Sequence, residues 1–496
     1  MIEPPHRAHG LRLRLLSAAG VLLILAGWAV ASLATGAFFL PPPWLTVADT
    51  ARLLADGFTW TQILITLLRV CAGFCAGFLT GLAAGIAIGS KPEWDALFKP
   101  LVLFFQGMPP LLWTIPLVAL MGIGHVPTII VIGLITFPLV AVTIGEGMST
   151  LPRELGEMLA IFAPGFRPRM RELVLPHLKP FLGASLKAGL VLAVKASVTA
   201  EYFGANNGIG FQIQASYMSL RIRSLFSWAA VLILIILVFN HLLPRIRLAG
   251  PFLRRAFLLP RAAAPLPEES GELRRQFSVR PEEKRISVQG LSFAYAKGPE
   301  VLRNVSLEIE AGEIGVVTGQ SGIGKTTLLK LVASLEKPTR GSISRPARIG
   351  FVFQDDRLLP WRTVVENAAL PLLYGGYSAG ESLAFASYLL GQAGMAGEEM
   401  KKPQELSGGM KKRAALARCF ARLPDAILLD EPFSGLHDEG RVLLWDMFLR
   451  LLALHPVPTL IVTHYPEEIS ALAPCRLLTL EGKPARIIAA AGEGRS

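Results

Sequence analysis

The feature that most constrains this chain is Gly319-Gln320-Ser321-Gly322-Ile323-Gly324-Lys325-Thr326-Thr327. It lies between the apolar run Ile314–Thr318, which reads as a buried strand, and Leu328–Val332, which reads as a helix. Glycines at a strand-to-helix turn let backbone N–H groups close around a phosphate at the helix N-terminus. A lysine there reaches the outer phosphates, and the next hydroxyl holds Mg²⁺. The stretch therefore commits the C-terminal half to an α/β fold and marks Gly319 through Thr327 as a nucleotide-phosphate loop.

The rest of the chain is of another kind. An apolar fraction of 52% and a mean hydropathy of +0.48 over 496 residues call for more than one domain, with part of the chain in a membrane. The net charge of +12 does not point to nucleic acid, because Arg and Lys cluster beside apolar runs, as membrane-flanking segments do, and no nucleic-acid module is present. Cys71, Cys75, Cys419 and Cys475 have neither metal-ligand spacing nor the pattern of a disulfide framework.

After Arg7, Arg12 and Arg14 the chain runs apolar to about Leu40, too long for a signal-peptide core and suited to a first transmembrane helix. Five more spans are predicted near 62–89, 101–121, 126–145, 181–200 and 226–243, an all-α bundle of about six helices. The basic stretches (the N-terminus, Lys91 and Lys99, Arg153 to Lys179, Arg245 to Arg255) then fall on one, cytoplasmic, side, with Arg221 and Arg223 on the other. Gly73, Gly77, Gly81, Gly85 and Gly89 share one face of the second span and predict close approach of a neighbouring helix. The predicted domains are a transmembrane domain at 1–260, a Pro- and Glu-rich linker at 261–283 and the α/β domain at 284–496.

Between the fourth and fifth spans, Glu146 to Pro180 is too polar to cross a membrane. Its Glu157, Ala160, Ala163 and Glu172-Leu173-Val174-Leu175-Pro176 resemble the coupling loop of ABC importer permeases, with Met158, Leu159 and Ala163 departing from the pattern. Leu40-Pro41-Pro42-Pro43, Met121-Gly122-Ile123-Gly124 and Glu201-Tyr202-Phe203-Gly204 through Gly208-Ile209-Gly210 are similar to the nitrate, sulfonate, taurine and bicarbonate branch. Downstream, Tyr295, Gln354, Leu406-Ser407-Gly408-Gly409, Asp430-Glu431 after Ala426–Leu429, and His464 match an ABC ATPase in order. Met410, His437 and Tyr465 depart from that family's usual residues.

The resemblance implies an ATP hydrolase with ATP and Mg²⁺ as cofactors. Tyr295 would stack on adenine, its alternative being an ordinary core tyrosine. Lys325 would hold the β- and γ-phosphates, with Thr326, Gln354 and Asp430 around Mg²⁺. Glu431 would activate water and His464 would contact the γ-phosphate, while Ser407, Gly408 and Gly409 would close on the nucleotide of a second copy or of a paired half-transporter. The implied protein is a fused permease–ATPase half-transporter in the inner membrane with its ATPase domain cytoplasmic, importing a small anion with a solute-binding protein. An exporter, an importer of a small heterocycle and a membrane-anchored regulator are the alternatives. Lys195, within an apolar run, reads as an anion contact, a partner of Glu201 or a snorkelling side chain. The loop around Glu157 is expected to dock near Gln354 and Asp355 to Trp361.

Overall fold

A computed structural model describes residues 6–242, 273, 284–296, 298–464, 466–470 and 473–489. Tyr465, the basic run 245–255 and, residue 273 aside, the expected linker 261–283 lie outside these residues. The described chain forms two compact units: one contains the chain through Leu151 and resumes at His177, and the other contains Pro152–Pro176 and the described residues from 273 on.

The first unit is helical: α1 (His6–Thr35), α2 (Pro43–Leu54), α3 (Gly57–Ser90), α4 (Pro92–Gly107), α5 (Pro110–Met121), α6 (His125–Ser149), α9 (Leu175–Gly204), α10 (Ile209–Met218) and α11 (Ile222–Leu242). Among the described residues five helices are long and apolar enough to cross a membrane, or six if the pair α4 and α5 counts as one span. That pair corrects the uninterrupted span expected at 101–121, because the two helices meet at 91°. The cause is Gly107-Met108-Pro109-Pro110: Met108 and Pro109 are extended, and two successive prolines remove the amides that would carry the helix through.

The glycine seam explains how the bundle closes. A Cβ on Gly73, Gly77, Gly81, Gly85 or Gly89 would lie 2.5–2.7 Å from the carbonyl oxygens of Ile129, Gly133, Phe137, Ala141 and Gly145, so α3 lies directly against the backbone of α6. The two series rise together, so α3 and α6 are parallel. The intervening chain must therefore return across the bundle, which makes the bent α4–α5 pair one broken crossing. Helix α9 runs the opposite way, with Phe181 beside Gly147 and Gly189 beside Phe74.

At the far end of α9, Glu201 is fully buried and joins Arg69 at 2.9 Å, Thr66 and the amide of Gly210. Arg69 also donates to His125 Nδ1 and to the Asn207 carbonyl. This removes one reading of Lys195: Glu201 is already neutralised by Arg69, and Lys195 is exposed on α9. Arg223 is paired with Asp49 at 2.7 Å, which offsets its charge on the less basic side.

The second unit contains a three-stranded antiparallel sheet, order β2-β1-β4, and a six-stranded sheet, order β5-β6-β7-β3-β8-β9. The strands are β1 (Ile286–Ala294), β2 (Glu300–Ile309), β3 (Ile314–Thr318), β4 (Arg340–Ser344), β5 (Ile349–Val352), β6 (Ala426–Asp430), β7 (Thr459–Val462), β8 (Arg476–Glu481) and β9 (Arg486–Ala489). Strands β5, β6, β7, β3 and β8 pair in parallel, so their carboxyl ends share one edge, where ligands bind in such sheets. Helices α12 (Lys325–Val332), α13 (Val364–Leu373), α14 (Ala379–Gln392), α15 (Gly408–Ala421), α16 (Asp438–Leu454) and α17 (Pro466–Ser470) accompany them. Thr363 with Glu366 and Ser378 with Glu381 form capping boxes that start α13 and α14. Into this unit packs the polar stretch after α6: α7 (Arg153–Phe162), α8 (Phe166–Arg169) and a π-turn at Met170–Val174 that leads into α9.

Candidate active site

Strand β3 ends at Thr318 and the loop turns at Gly319, Gly322 and Gly324, whose φ values are +147, +74 and +115. A side chain at Gly324 would be strained and would also meet Val301 at 2.9 Å, and one at Gly319 would meet the Leu480 carbonyl at 2.7 Å. Gln320, Ser321 and Gly322 are exposed, while Ile323 is buried and pins the loop from beneath. Helix α12 starts at Lys325, whose Nζ donates to the carbonyls of Gly319 (2.8 Å) and Gln320 (3.1 Å), curling back over the loop. Burial pulls the Lys325 ammonium below its usual range, against the opposing pull of Glu431 and Asp430.

The strand ends bring the other expected residues to the same place. Thr326 donates its hydroxyl to Asp430 at 3.1 Å. Burial pushes the Asp430 carboxyl up to about 6; the Thr326 hydrogen bond lowers it and the neighbouring Glu431 charge raises it. Glu431 has a φ of +46, a strained conformation for a glutamate, held by its amide donating to Val462. Its carboxylate meets His464 Nε2 at 3.0 Å and the Gln354 side-chain amide at 3.4 Å, and His464 lies 3.5 Å from Lys325 Nζ. Gln354, Lys325, Thr326, Asp430, Glu431 and His464 thus form one continuous polar cluster beside the loop.

The donors fit Mg²⁺. A threonine hydroxyl, a glutamine amide oxygen and an aspartate are hard oxygen groups, the kind Mg²⁺ takes together with water and phosphate oxygens. Among the described residues no group of three or more His, Cys, Asp or Glu side chains is placed to hold a metal. Tyr295 is 44% exposed, which sets aside the reading of a core tyrosine, and its hydroxyl lies 3.2 Å from Thr327 Oγ1. Ser407 and Gly408 are exposed; Ser407 caps α15 by accepting from the Met410 amide at 3.3 Å, so the amides of Gly408 and Gly409 open a helix N-terminus. His437 is exposed and makes no capping bond at the start of α16.

The stretch 152–176 meets this site through two glutamates. Glu157, half-buried, receives Lys330 of α12 at 2.8 Å and Arg357 at 2.7 Å, and together these hold its carboxyl below the usual range although burial opposes them. Glu172, fully buried, is held by Arg362 through two bonds of 2.8 and 2.9 Å and by the Tyr374 hydroxyl at 2.5 Å, while Trp361 Nε1 donates to its carbonyl. Docking beside Gln354 and Asp355 to Trp361 is as the sequence led us to expect. Lys330, Arg362, Tyr374 and the anchoring role of Glu172 were not foreseen. Glu172 alone offered a signal, as a carboxylate set against the apolar run Leu173-Val174-Leu175.

The fold and the site define an ATPase of the ABC type joined to a helical membrane unit. The comparisons agree: residues 302–434 match the ABC transporter family, and residues 77–248 match the binding-protein-dependent transport system inner membrane component. The chain is 40% identical over 205 residues to an aliphatic sulfonates import ATP-binding protein of Paraburkholderia xenovorans, covering 41% of this chain and 81% of that protein. It is 39% identical over 194 residues to another of the same name from Rhodococcus jostii, covering 38% and 76%. A solved dimeric bacterial ABC transporter cassette is 28% identical with a TM-score of 0.38, covering 41% of this chain and 96% of that one. The chain belongs to the ABC transporter family, carries its permease and ATP-binding parts in one polypeptide, and is an ATP hydrolase that uses ATP and Mg²⁺.

Proposed function

We propose that this chain is half of an importer in the inner membrane, completed by a second copy and supplied by a solute-binding protein. Its domains are those at 1–260 and 284–496, the second of them cytoplasmic. The observation that carries the reading is the attachment of 152–176, between two spans, to the ATPase through Glu157 and Glu172. The loop's resemblance to those of importer permeases, and the match of residues 77–248 to a binding-protein-dependent inner membrane component, favour import over export.

In this reading Gly319 through Thr327 cradle the phosphates, Lys325 stabilises charge on the β- and γ-oxygens, and Tyr295 stacks on the base. Thr326, Gln354 and Asp430 would hold Mg²⁺, which would supply positive charge beside the phosphates. Glu431 takes the proton of the attacking water, and His464, 3.0 Å away, orients that carboxylate toward the γ-phosphate. Ser407, Gly408 and Gly409 present their helix N-terminus to the nucleotide of the second copy.

The cargo is a small anion, with aliphatic sulfonates favoured by the relatives and Lys195 as its contact in the path. Lys195 is exposed on α9, with Lys187 two turns away also exposed. It lies nine residues before the helix end at Gly204, about 13 Å along the axis at 1.5 Å per residue. A cation there needs water or an anion. The test is ATP-driven uptake of labelled ethanesulfonate into proteoliposomes with the cognate binding protein. Uptake lost in Lys195→Gln with basal ATPase unchanged supports the reading; outward transport, or equal uptake by the variant, contradicts the direction or the contact respectively.

A further inference from the structure

We propose that Arg418 is a positioning residue for coupling: it ties the loop at 152–176 to the helix that Ser407 opens, so the loop follows that helix as well as the phosphate loop. The proposal rests on the coupling role of 152–176 given above.

Arg418 lies on α15 and is fully buried, yet it has no carboxylate within ion-pair distance among the described residues. Its guanidinium donates instead to the Arg357 carbonyl at 2.7 Å and the Asp356 carbonyl at 2.8 Å, and it stands 5.0 Å from the centroid of the Phe162 ring, on α7 of the loop. Six residues earlier on the same helix, Lys412 donates to the Gln354 carbonyl at 3.2 Å. Helix α15 therefore grips three backbone carbonyls of the four-residue segment 354–357. A buried guanidinium held by two carbonyls and a ring, with the Asp356 charge acting on it only from beyond ion-pair distance, is an expensive way to fill space, so the grip itself calls for a reason.

That segment is the one that leads to the loop. Arg357 receives α15's hold on its carbonyl and passes it to Glu157 at 2.7 Å, while its guanidinium stacks 3.9 Å above the Phe353 ring. Lys330, on the helix that begins at the phosphate loop, takes the other Glu157 oxygen. One carboxylate is thus joined to the helix of the chain's own phosphate loop and, through Arg357 and Arg418, to the helix that faces the second copy's nucleotide. The segment is also poised to rearrange. Arg357 has a φ of +46, and Arg357 Nε, Asp356 Oδ1 and Arg418 Nε are buried without a hydrogen bond to the protein among the described residues. Arg418 and Phe162 then make the loop respond to closure over both nucleotides rather than one.

The test uses the full chain in lipid nanodiscs, with Cys71, Cys75, Cys419 and Cys475 replaced by serine or alanine and a spin label at Ala184→Cys in each copy. Inter-copy distances are measured by double electron–electron resonance with ADP and with ATP in a Glu431→Gln background, and affinity for a fluorescent ATP analogue is measured alongside. We expect Arg418→Gln to lose more than about half of the ATP-induced shift while affinity stays within about twofold, with Arg418→Lys and Phe162→Leu reduced to a lesser extent. An undiminished shift in Arg418→Gln overturns the proposal, as does affinity falling about tenfold with the shift, the mark of a merely structural role. If Arg418→Gln does not fold, an undiminished shift in Phe162→Leu overturns it. No shift in the parent overturns the coupling reading itself, and this proposal with it.

Discussion

Replacing Glu172 by glutamine separates the two attachment points of the loop. Glu172 is 0% exposed and Arg362 is 2% exposed, with two charge-assisted bonds between them and a third from Tyr374. Removing the charge of Glu172 leaves Arg362 with Glu366 alone, at 3.6 Å, a loss toward the lower end of the about 3–5 kcal/mol that breaking a buried pair costs. Glu157 is 30% exposed, its Lys330 ammonium can turn to water and Arg357 keeps its stack on Phe353, so Glu157→Gln should cost about 1 kcal/mol. In native-state hydrogen exchange the amides of 153–174 should open about 10²- to 10⁴-fold more often in Glu172→Gln, at about 1.4 kcal/mol per tenfold, and less than about tenfold more often in Glu157→Gln. The double change Glu172→Leu with Arg362→Met should recover most of the loss, because an apolar pair of similar size leaves no stranded charge. Equal exchange in Glu172→Gln and Glu157→Gln, or no recovery in the double variant, would refute this account of the anchor.

Gly81→Ala should weaken assembly of α3 on α6 by about 1–3 kcal/mol, because the added carbon lies 2.7 Å from the Phe137 carbonyl and the α6 backbone must yield; reduced yield and melting temperature in detergent would show it, and unchanged values would dismiss the seam. The Glu157 carboxyl is held below its usual range, so its contribution is full above about pH 4.5, the unfolded value, and is lost as pH falls through the lower folded value. The difference in melting temperature between the parent chain and Glu157→Gln should accordingly be largest near neutrality and vanish in acid; a constant difference across that window would contradict the pairing. Mixing Ser407→Arg with Glu431→Gln, each of them inactive alone, should restore part of the ATPase activity, since a mixed pair then holds one intact composite site, whereas no recovery would point to sites that do not span two copies.

Spacing along one element is legible in a sequence, and contact between distant elements is not. The four-residue glycine period of α3 announced a packed seam, though α6 as its partner had to come from the structure. The phosphate loop and Asp430-Glu431 could be placed because apolar runs of strand length precede them; the cluster with Gln354 and His464 forms because neighbouring parallel strands end at one edge. Glu201 and Arg69 are 132 residues apart, and nothing local favours Arg69 over Lys195 as the partner. The break at Met108–Pro109 could have been read from its two prolines, but the apolar composition on both sides masked it. Arg418 gave no sign, since an arginine on a polar-looking helix is usually solvated.

The measurement that bears most directly on the central claim is ATP turnover by the purified full chain and by Glu431→Gln, together with binding of ATP by both. If Glu431 is the base, at the end of β6 and 3.0 Å from His464, the variant should bind ATP with little change and lose turnover by about 10²-fold or more. Turnover within a few fold of the parent's at equal binding would contradict the account of this cluster as the hydrolytic site that drives the transporter.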